Sequence, residues 1–182
     1  MFSNKLVVAI FTAFVAFGFT ACSFPKEPNQ VVYAPEHSVH SFSVANNSVL
    51  RNPPENKARI YALRESRFAG SGISYNIFYQ YEPRLDSANK LIVEKAAYKD
   101  NTMGMLKSGT KFYKDFEVGK PLLLIAGTER NSYLIFTPKE NQIYCIEGTI
   151  EAGNWAGRPN LKFIDKARCE TLYLKTKPKE LY

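Results

Sequence analysis

Histidine is nearly missing from this chain. There are two, His37 and His40, and none follows in the remaining sequence. A Ser-His-Asp or Cys-His nucleophile and the common histidine-based zinc sites therefore have no imidazole to use beyond residue 40. The two histidines stand three apart, but no cysteine or carboxylate cluster completes a ligand set. No metal and no cofactor is expected. Tryptophan occurs once, as Trp155, and cysteine three times. There is no Gly-x-Ser-x-Gly elbow and no phosphate-binding loop. Two Ser-x-x-Lys spacings occur, Ser87–Lys90 and Ser108–Lys111, without the companion motifs of a serine acyltransferase. Asp86, Asp100, Asp115 and Glu147 are scattered, and nothing selects a pair for glycoside hydrolysis. No catalytic residue is expected. A small hydrolase built on Ser-Lys or on two carboxylates is the third of three readings carried here.

What is present points to one β-rich domain. The chain has 182 residues, 45% of them hydrophobic and 14% aromatic, enough for a real core. The formal charge is +7, spread thinly, with its densest run at Lys175–Lys179. Dispersed positive charge favours solubility and weak attraction to anionic surfaces. No recognition motif accompanies it, so no nucleic-acid partner is expected.

The first residues have the layout of an export signal. Met1–Lys5 carries one positive charge, and Leu6–Phe19 is apolar apart from Thr12 and Gly18. That run is short for a membrane span, which needs about 20 residues. Phe19-Thr20-Ala21-Cys22 follows and resembles the lipobox of bacterial lipoproteins. The resemblance implies a leader over 1–21, cleaved to leave Cys22 as an acylated N-terminus. Phe19 stands where Leu is usual. The alternatives are an uncleaved anchor, or an ordinary signal in which Cys22 is incidental. Several acyl chains on one cysteine give stable membrane attachment, at about 0.8 kcal/mol per buried methylene. Ser23, where an Asp would signal inner-membrane retention, points to the outer membrane.

Residues 22–56 read as the acylated cysteine and a flexible tether rich in Pro, Asn and Ser. Five of the ten prolines lie here: Pro25, Pro28, Pro35, Pro53 and Pro54. Proline fixes its own φ and withholds a donor, which resists helix and sheet. Such a tether reaches roughly 30 Å as coil and roughly 110 Å extended. His40–Val44 alternates polar and apolar residues and is a candidate edge strand. Asn46-Asn47-Ser48 matches a glycosylation sequon, taken as chance in a bacterium.

The domain is expected over 57–182. Lys57–Leu63, Ser71–Tyr81, Met103–Leu106, Lys111–Phe116, Pro121–Ala126, Tyr133–Thr137, Ile143–Ile150 and Leu161–Ile164 read as strands, from alternation and from β-branched and aromatic enrichment. Leu91–Tyr98 fits a strand or two helical turns, and Thr171–Leu174 a last strand or a short helix. Glu117–Lys120 reads as a hairpin turn around Gly119. About eight short strands at this spacing predict an all-β fold, a compact antiparallel β-sandwich.

The succession KARIYALRESRFAGSGISYNIF, GMLKSGTKFYKDFEVGKPLLLIAG, QIYCIEG and GNWAGRPNLKFID resembles a family of small bacterial lipoproteins of unknown function, similar to PEGA-type surface modules. The resemblance covers most of 57–165 and implies a single β-sandwich. Two departures stand out. Residues 82–99 read as an insertion, and the hairpin turn is Glu-Val-Gly-Lys without the frequent proline.

Cys145 and Cys169 remain after Cys22. In an oxidising compartment they are expected to pair, closing a loop of about 25 residues and contributing about 3.5 kcal/mol. The alternative is a buried free Cys145 with Cys169 exposed. Candidate binding residues are Arg64, Arg67 and Phe68 in one loop and Trp155 and Arg158 in another, since Trp and Arg dominate exposed hot spots. Each set also has a structural reading: Phe68 as a core plug with Arg64 and Arg67 solvated, Trp155 capping the core, Arg158 paired with a local acid. The leading expectation is a lipid-anchored envelope protein, attached to the membrane through Cys22. It would act as a non-catalytic structural or binding module for an envelope protein or peptidoglycan. The second reading is an inhibitor or host-facing binder using the two loops.

Overall fold

The computed structural model of the chain describes residues 39–178, apart from 69, 89, 129–130 and 152–156. The expected leader, Cys22 and residues 22–38 of the tether lie outside the described residues.

The fold is mostly β. Its elements in chain order are β1 (Ser41–Phe42), β2 (Lys57–Leu63), β3 (Tyr75–Tyr81), β4 (Arg84–Leu85), β5 (Leu91–Ile92), α1 (Lys95–Asp100), β6 (Thr102–Leu106), β7 (Thr110–Glu117), β8 (Leu122–Gly127), β9 (Asn131–Phe136), β10 (Ile143–Glu151), β11 (Arg158–Ile164), α2 (Lys166–Lys175) and β12 (Lys177–Pro178). One six-stranded sheet runs β1-β10-β2-β7-β12, with β11 also on β10. A four-stranded sheet runs β6-β3-β8-β9, and β4 with β5 forms a small ribbon. Most pairs are antiparallel, but β10 pairs β2 in parallel, and β12 pairs β7 in parallel.

Period-two alternation explains how β2 can be buried almost throughout. Ala58, Ile60 and Ala62 enter a core shared with Tyr75 and Ile77 of β3, Leu122 and Leu124 of β8, and Tyr144 and Ile146 of β10. That core therefore takes side chains from both larger sheets. Tyr61 and Leu63 point the other way, into a second cluster with Val44, Leu50, Ile143, Cys145, Ile164, Cys169 and Leu172. This second cluster is the seat of α2 and of the chain around Val44–Leu50.

The tether boundary at residue 56 is thereby corrected. β1 pairs Ser41 with Tyr144 and Phe42 with Ile143, as the alternation over His40–Val44 suggested. Val44 and Leu50 are buried, the Asn52 side chain bonds both the N–H and the C=O of Val44, and Arg51 N–H donates to the Tyr61 hydroxyl at 3.0 Å. The folded unit starts no later than Val39, because burying two aliphatic side chains outweighs the freedom of a proline-rich segment.

The hairpin expected at Glu117–Lys120 is also corrected. β7 pairs β2 and β12, whereas β8 pairs β3 and β9. The turn, with Gly119 at φ +80, carries the chain from one sheet to the other. The insertion at 82–99 has a clear packing role. Ala97, Leu91 and Val93 cover the outer face of the four-stranded sheet at Phe78, Leu123, Ile125, Tyr133 and Ile135. Gln80, buried beneath, accepts from Glu94 N–H at 3.0 Å and donates to Ile92 C=O at 3.4 Å.

The cysteine pairing is present. Cys145 of β10 and Cys169 of α2 are disulfide-bonded, with Cα atoms 5.9 Å apart. The segment that read as strand or helix at Thr171–Leu174 belongs to α2, whose N-cap Asp165 accepts from Arg168 N–H at 2.8 Å.

Candidate functional site

The loop after β2 is built around a buried arginine. Arg64 is only 4% exposed, and its guanidinium donates to Ile73 C=O at 2.6 Å and to Gly70 C=O at 2.7 Å. It also lies 5.6 Å over the Tyr75 ring. Burial pulls its pKa below the usual guanidinium value. Arg64 is therefore no surface contact, which corrects its candidacy: two inward carbonyls recruit the fork from within the loop. For Phe68 it is the structural alternative that fails. Far from plugging a core, it is 100% exposed at the tip of that loop. Arg67 beside it has a side chain 60% exposed, and its N–H donates to Ser108 Oγ at 3.3 Å.

Gly157 and Arg158, the described part of the second candidate loop, fall at the same end of the sheets as the loop after β2. A Cβ built on Gly70 would stand 3.3 Å from the Ile150 side chain, and one on Gly157 2.7 Å from Ile150 and 3.0 Å from Ile73. Gly157 also has φ +70, which only glycine adopts without strain. Arg158 opens β11 half-buried, opposite Glu151 in the ladder. Trp155 lies outside the described residues.

Behind this end sits a charge network. Glu147 on β10 is 1% exposed; it accepts from Arg168 Nη2 at 2.7 Å and pairs with Lys162 Nζ at 3.3 Å. Glu65 takes the same Arg168 at 3.1 Å, with Lys175 and Arg67 each at 3.6 Å. Burial pushes the Glu147 carboxyl up, but Arg168 and Lys162 outweigh it and hold it below the usual value near 4.5. Arg168 does the same for Glu65. A depressed carboxylate contributes its full stability above the unfolded-state value and loses it as pH falls below about 4.5. Acid titration of stability should therefore stay flat from neutrality to about pH 5 and then fall. Glu147→Gln should cost about 2–3 kcal/mol at pH 7 and flatten that fall. Denaturant melts of both proteins across pH 3–7 check this, and parallel curves for the two would refute the role given to Glu147.

A groove opens beside this end, unannounced by any motif. It has a volume of about 460 Å³ and is lined by Tyr61, Met103, Gly104, Lys111, Phe112, Tyr113, Tyr173 and Pro178. It exists because consecutive strands β6 and β7 enter different sheets. Among the described residues, β6 has a ladder partner only in β3, and β7 has one beyond β2 only where β12 meets Thr110 and Lys111. Two strand edges thus flank the opening. Gly104 lets the Phe112 ring lie against β6, since a Cβ there would come within 2.8 Å of that ring. Three tyrosines cross the site: Tyr173 edge-on to Tyr61 at 5.7 Å, and Tyr61 tilted against Tyr113 at 5.4 Å. Tyr113 is 52% exposed, with Arg59 4.2 Å from its ring centroid. Arg59 is itself fixed by two bonds to Asp115, at 2.7 and 2.8 Å.

Lys111 closes one wall. Its Nζ donates to Tyr173 C=O and, at 2.8 Å, to Thr176 C=O, the free carbonyls at the end of α2. Burial lowers its pKa. In the spacing Ser108–Lys111, then, the lysine is bound to the helix end, while Ser108 Oγ accepts from Arg67. Among the described residues no three His, Cys, Asp or Glu side chains are placed to hold a metal ion, and no helix is long and apolar enough to cross a membrane.

Comparison with protein-family models, with curated proteins and with solved structures finds no match to this chain. What the fold and site define is a class only: a mostly β, disulfide-closed domain with an aromatic groove between two strand edges.

Proposed function

We propose that the protein is a lipid-anchored component of the bacterial envelope, a non-catalytic binding module. Its two facing sheets are read as a β-sandwich, and its groove as the seat of an extended segment of an envelope partner. The observation that carries this is the pair of strand edges beside an aromatic wall. Among the described residues, the edge of β7 away from β2 has no ladder partner between Lys111 and Glu117, whose N–H donates to the Tyr81 hydroxyl, and this edge offers a template for an added strand. Tyr113 and Phe112 supply rigid apolar contact at little entropic cost, with buried Tyr61 backing Tyr113. The lipobox at Cys22, its resemblance to those of bacterial lipoproteins and Ser23 support placement at the outer membrane.

Two measurements test the reading. The intact mass of the chain extracted from membranes should show a mature N-terminus at an acylated Cys22; retention of Met1 would remove the lipid anchor. A photocrosslinker at Tyr113 in the full chain should capture one envelope protein. A synthetic peptide spanning the captured segment should then protect the amides of 112–116 from hydrogen exchange. Capture of glycan strands alone, or no protection by the peptide, would overturn the strand-addition reading.

A further inference from the structure

The two most exposed large apolar side chains of the described residues stand on segments that are tied to each other. Phe68 is 100% exposed and Leu174 is 70% exposed, against 52% for Tyr113 as the next large hydrophobic group. Single exposed apolar residues are ordinary. These two stand in a particular setting. Phe68 tops a loop fixed from inside by Arg64 and from its flank by Ser108. Leu174 closes α2, whose end is tied to the same loop by Lys175–Glu65 and, through Lys177 N–H to Gly109 C=O at 2.9 Å, to the 107–110 turn. Fixed geometry means that the aromatic ring is presented, not merely left over.

Cations surround the pair. Arg67 and Lys175 have side chains 60% and 59% exposed, and Lys107 and Lys177 are exposed on the adjoining turn and strand. Of the acids near them, Glu65 is already engaged by Arg168, and Glu170, one turn before Leu174 on α2, accepts from Ser48 Oγ at 3.2 Å. Glu151, on the β10 side of this end, faces Arg158 across the ladder and accepts from Asn160. The corner is thus apolar at its tip and positive around it, the pattern that enters the head-group region of an anionic bilayer.

The path of the chain agrees. β1 runs antiparallel to β10, with Ser41 opposite Tyr144 and Phe42 opposite Ile143. Val39 and His40 therefore lie toward the side of β10 on which Glu147 lies, which is the side of the Phe68 loop. With the folded unit starting by Val39, the reach left from Cys22 is roughly 20 Å as coil and roughly 55 Å extended.

We propose that the corner formed by Phe68, Leu174, Arg67, Lys107, Lys175 and Lys177 is a membrane-contact face that rests on a bilayer surface carrying anionic phospholipid. The face holds the domain in one orientation, with the groove beside the bilayer. Only the argument from reach depends on the anchor at Cys22.

The test uses the full chain in its native membrane. Benzoylphenylalanine replaces Phe68, and in a second protein it replaces Glu140, an exposed turn residue beyond β9. After irradiation, mass spectrometry of the labelled peptide reads phospholipid adducts. Position 68 should give phospholipid adduct and position 140 little or none. Lys107→Glu/Lys177→Glu should lower the adduct at 68 by about fivefold or more, as expected for charges close to an anionic surface. Equal adduct at both positions, adduct with protein or lipopolysaccharide, no adduct at 68, or no response to the charge reversal would each overturn the proposal. The intact mass of the same sample reports acylation of Cys22 separately, so loss of the anchor and loss of the contact face are distinguishable.

Discussion

A Cys145→Ser/Cys169→Ser variant is expected to lose about 3.5 kcal/mol of stability and to melt about 10 °C lower than the native chain. The bridge spans 24 positions, which sets the entropic part. Its placement makes the loss hard to absorb. α2 has two buried side chains, Cys169 itself and Leu172, so little of its hold on the sheet is hydrophobic. What else ties it down is the half-buried Tyr173 ring against Tyr61 and polar contacts, Arg168 to Glu147 and Lys111 to the carbonyls of Tyr173 and Thr176. Thermal unfolding with and without reductant, and of the serine variant, measures the effect. Melting points within 2–3 °C of each other, with both thiols shown to be free, would falsify the account of α2 as a bridged lid on the outer face of the sheet. The first structure to go should be α2, seen as early hydrogen exchange at 166–175.

Arg64→Leu should cost about 3 kcal/mol and free the loop over 65–72. Leucine matches the burial but leaves the Ile73 carbonyl without its donor and the Gly70 carbonyl with only the Ile73 N–H. Arg64→Lys should restore little, since one ammonium cannot reach two carbonyls with the fixed geometry of a guanidinium. Limited proteolysis provides a readout beyond stability: cleavage near Arg67 should rise by more than the global loss predicts. Full rescue by lysine would show that charge alone, rather than the fork, organises the loop.

The strands were largely legible because their signal is local. KARIYAL alternates between two buried faces, and its β-branched and aromatic content marks it whichever face is counted. Leu91–Tyr98 could not be decided from its sequence because it is two things, a short strand and then a helix. α2 was half seen: its apolar positions are too few for a clear stripe, and the better signal was Asp165 ahead of it as an N-cap. Arg64 was misread because a loop arginine is ordinarily solvated; two inward carbonyls reversed that. The groove was invisible for a different reason. It depends on β6 and β7 parting into separate sheets, and no residue near the Lys107–Thr110 turn announces which pairing wins.

β10 concentrates risk. Nine residues carry the ladders of β1, β2 and β11, one half of the disulfide, and the carboxylate that holds Arg168. Gly148 within it leaves room for Tyr75 and Leu106, where a Cβ would come within 2.2 and 2.5 Å. A single fault in Ile143–Glu151 therefore propagates to the entry segment, the central strand, the closing helix and the loop that presents Phe68 together. The segment 82–99, packed on the four-stranded sheet through Leu91, Val93 and Ala97, takes part in none of those attachments.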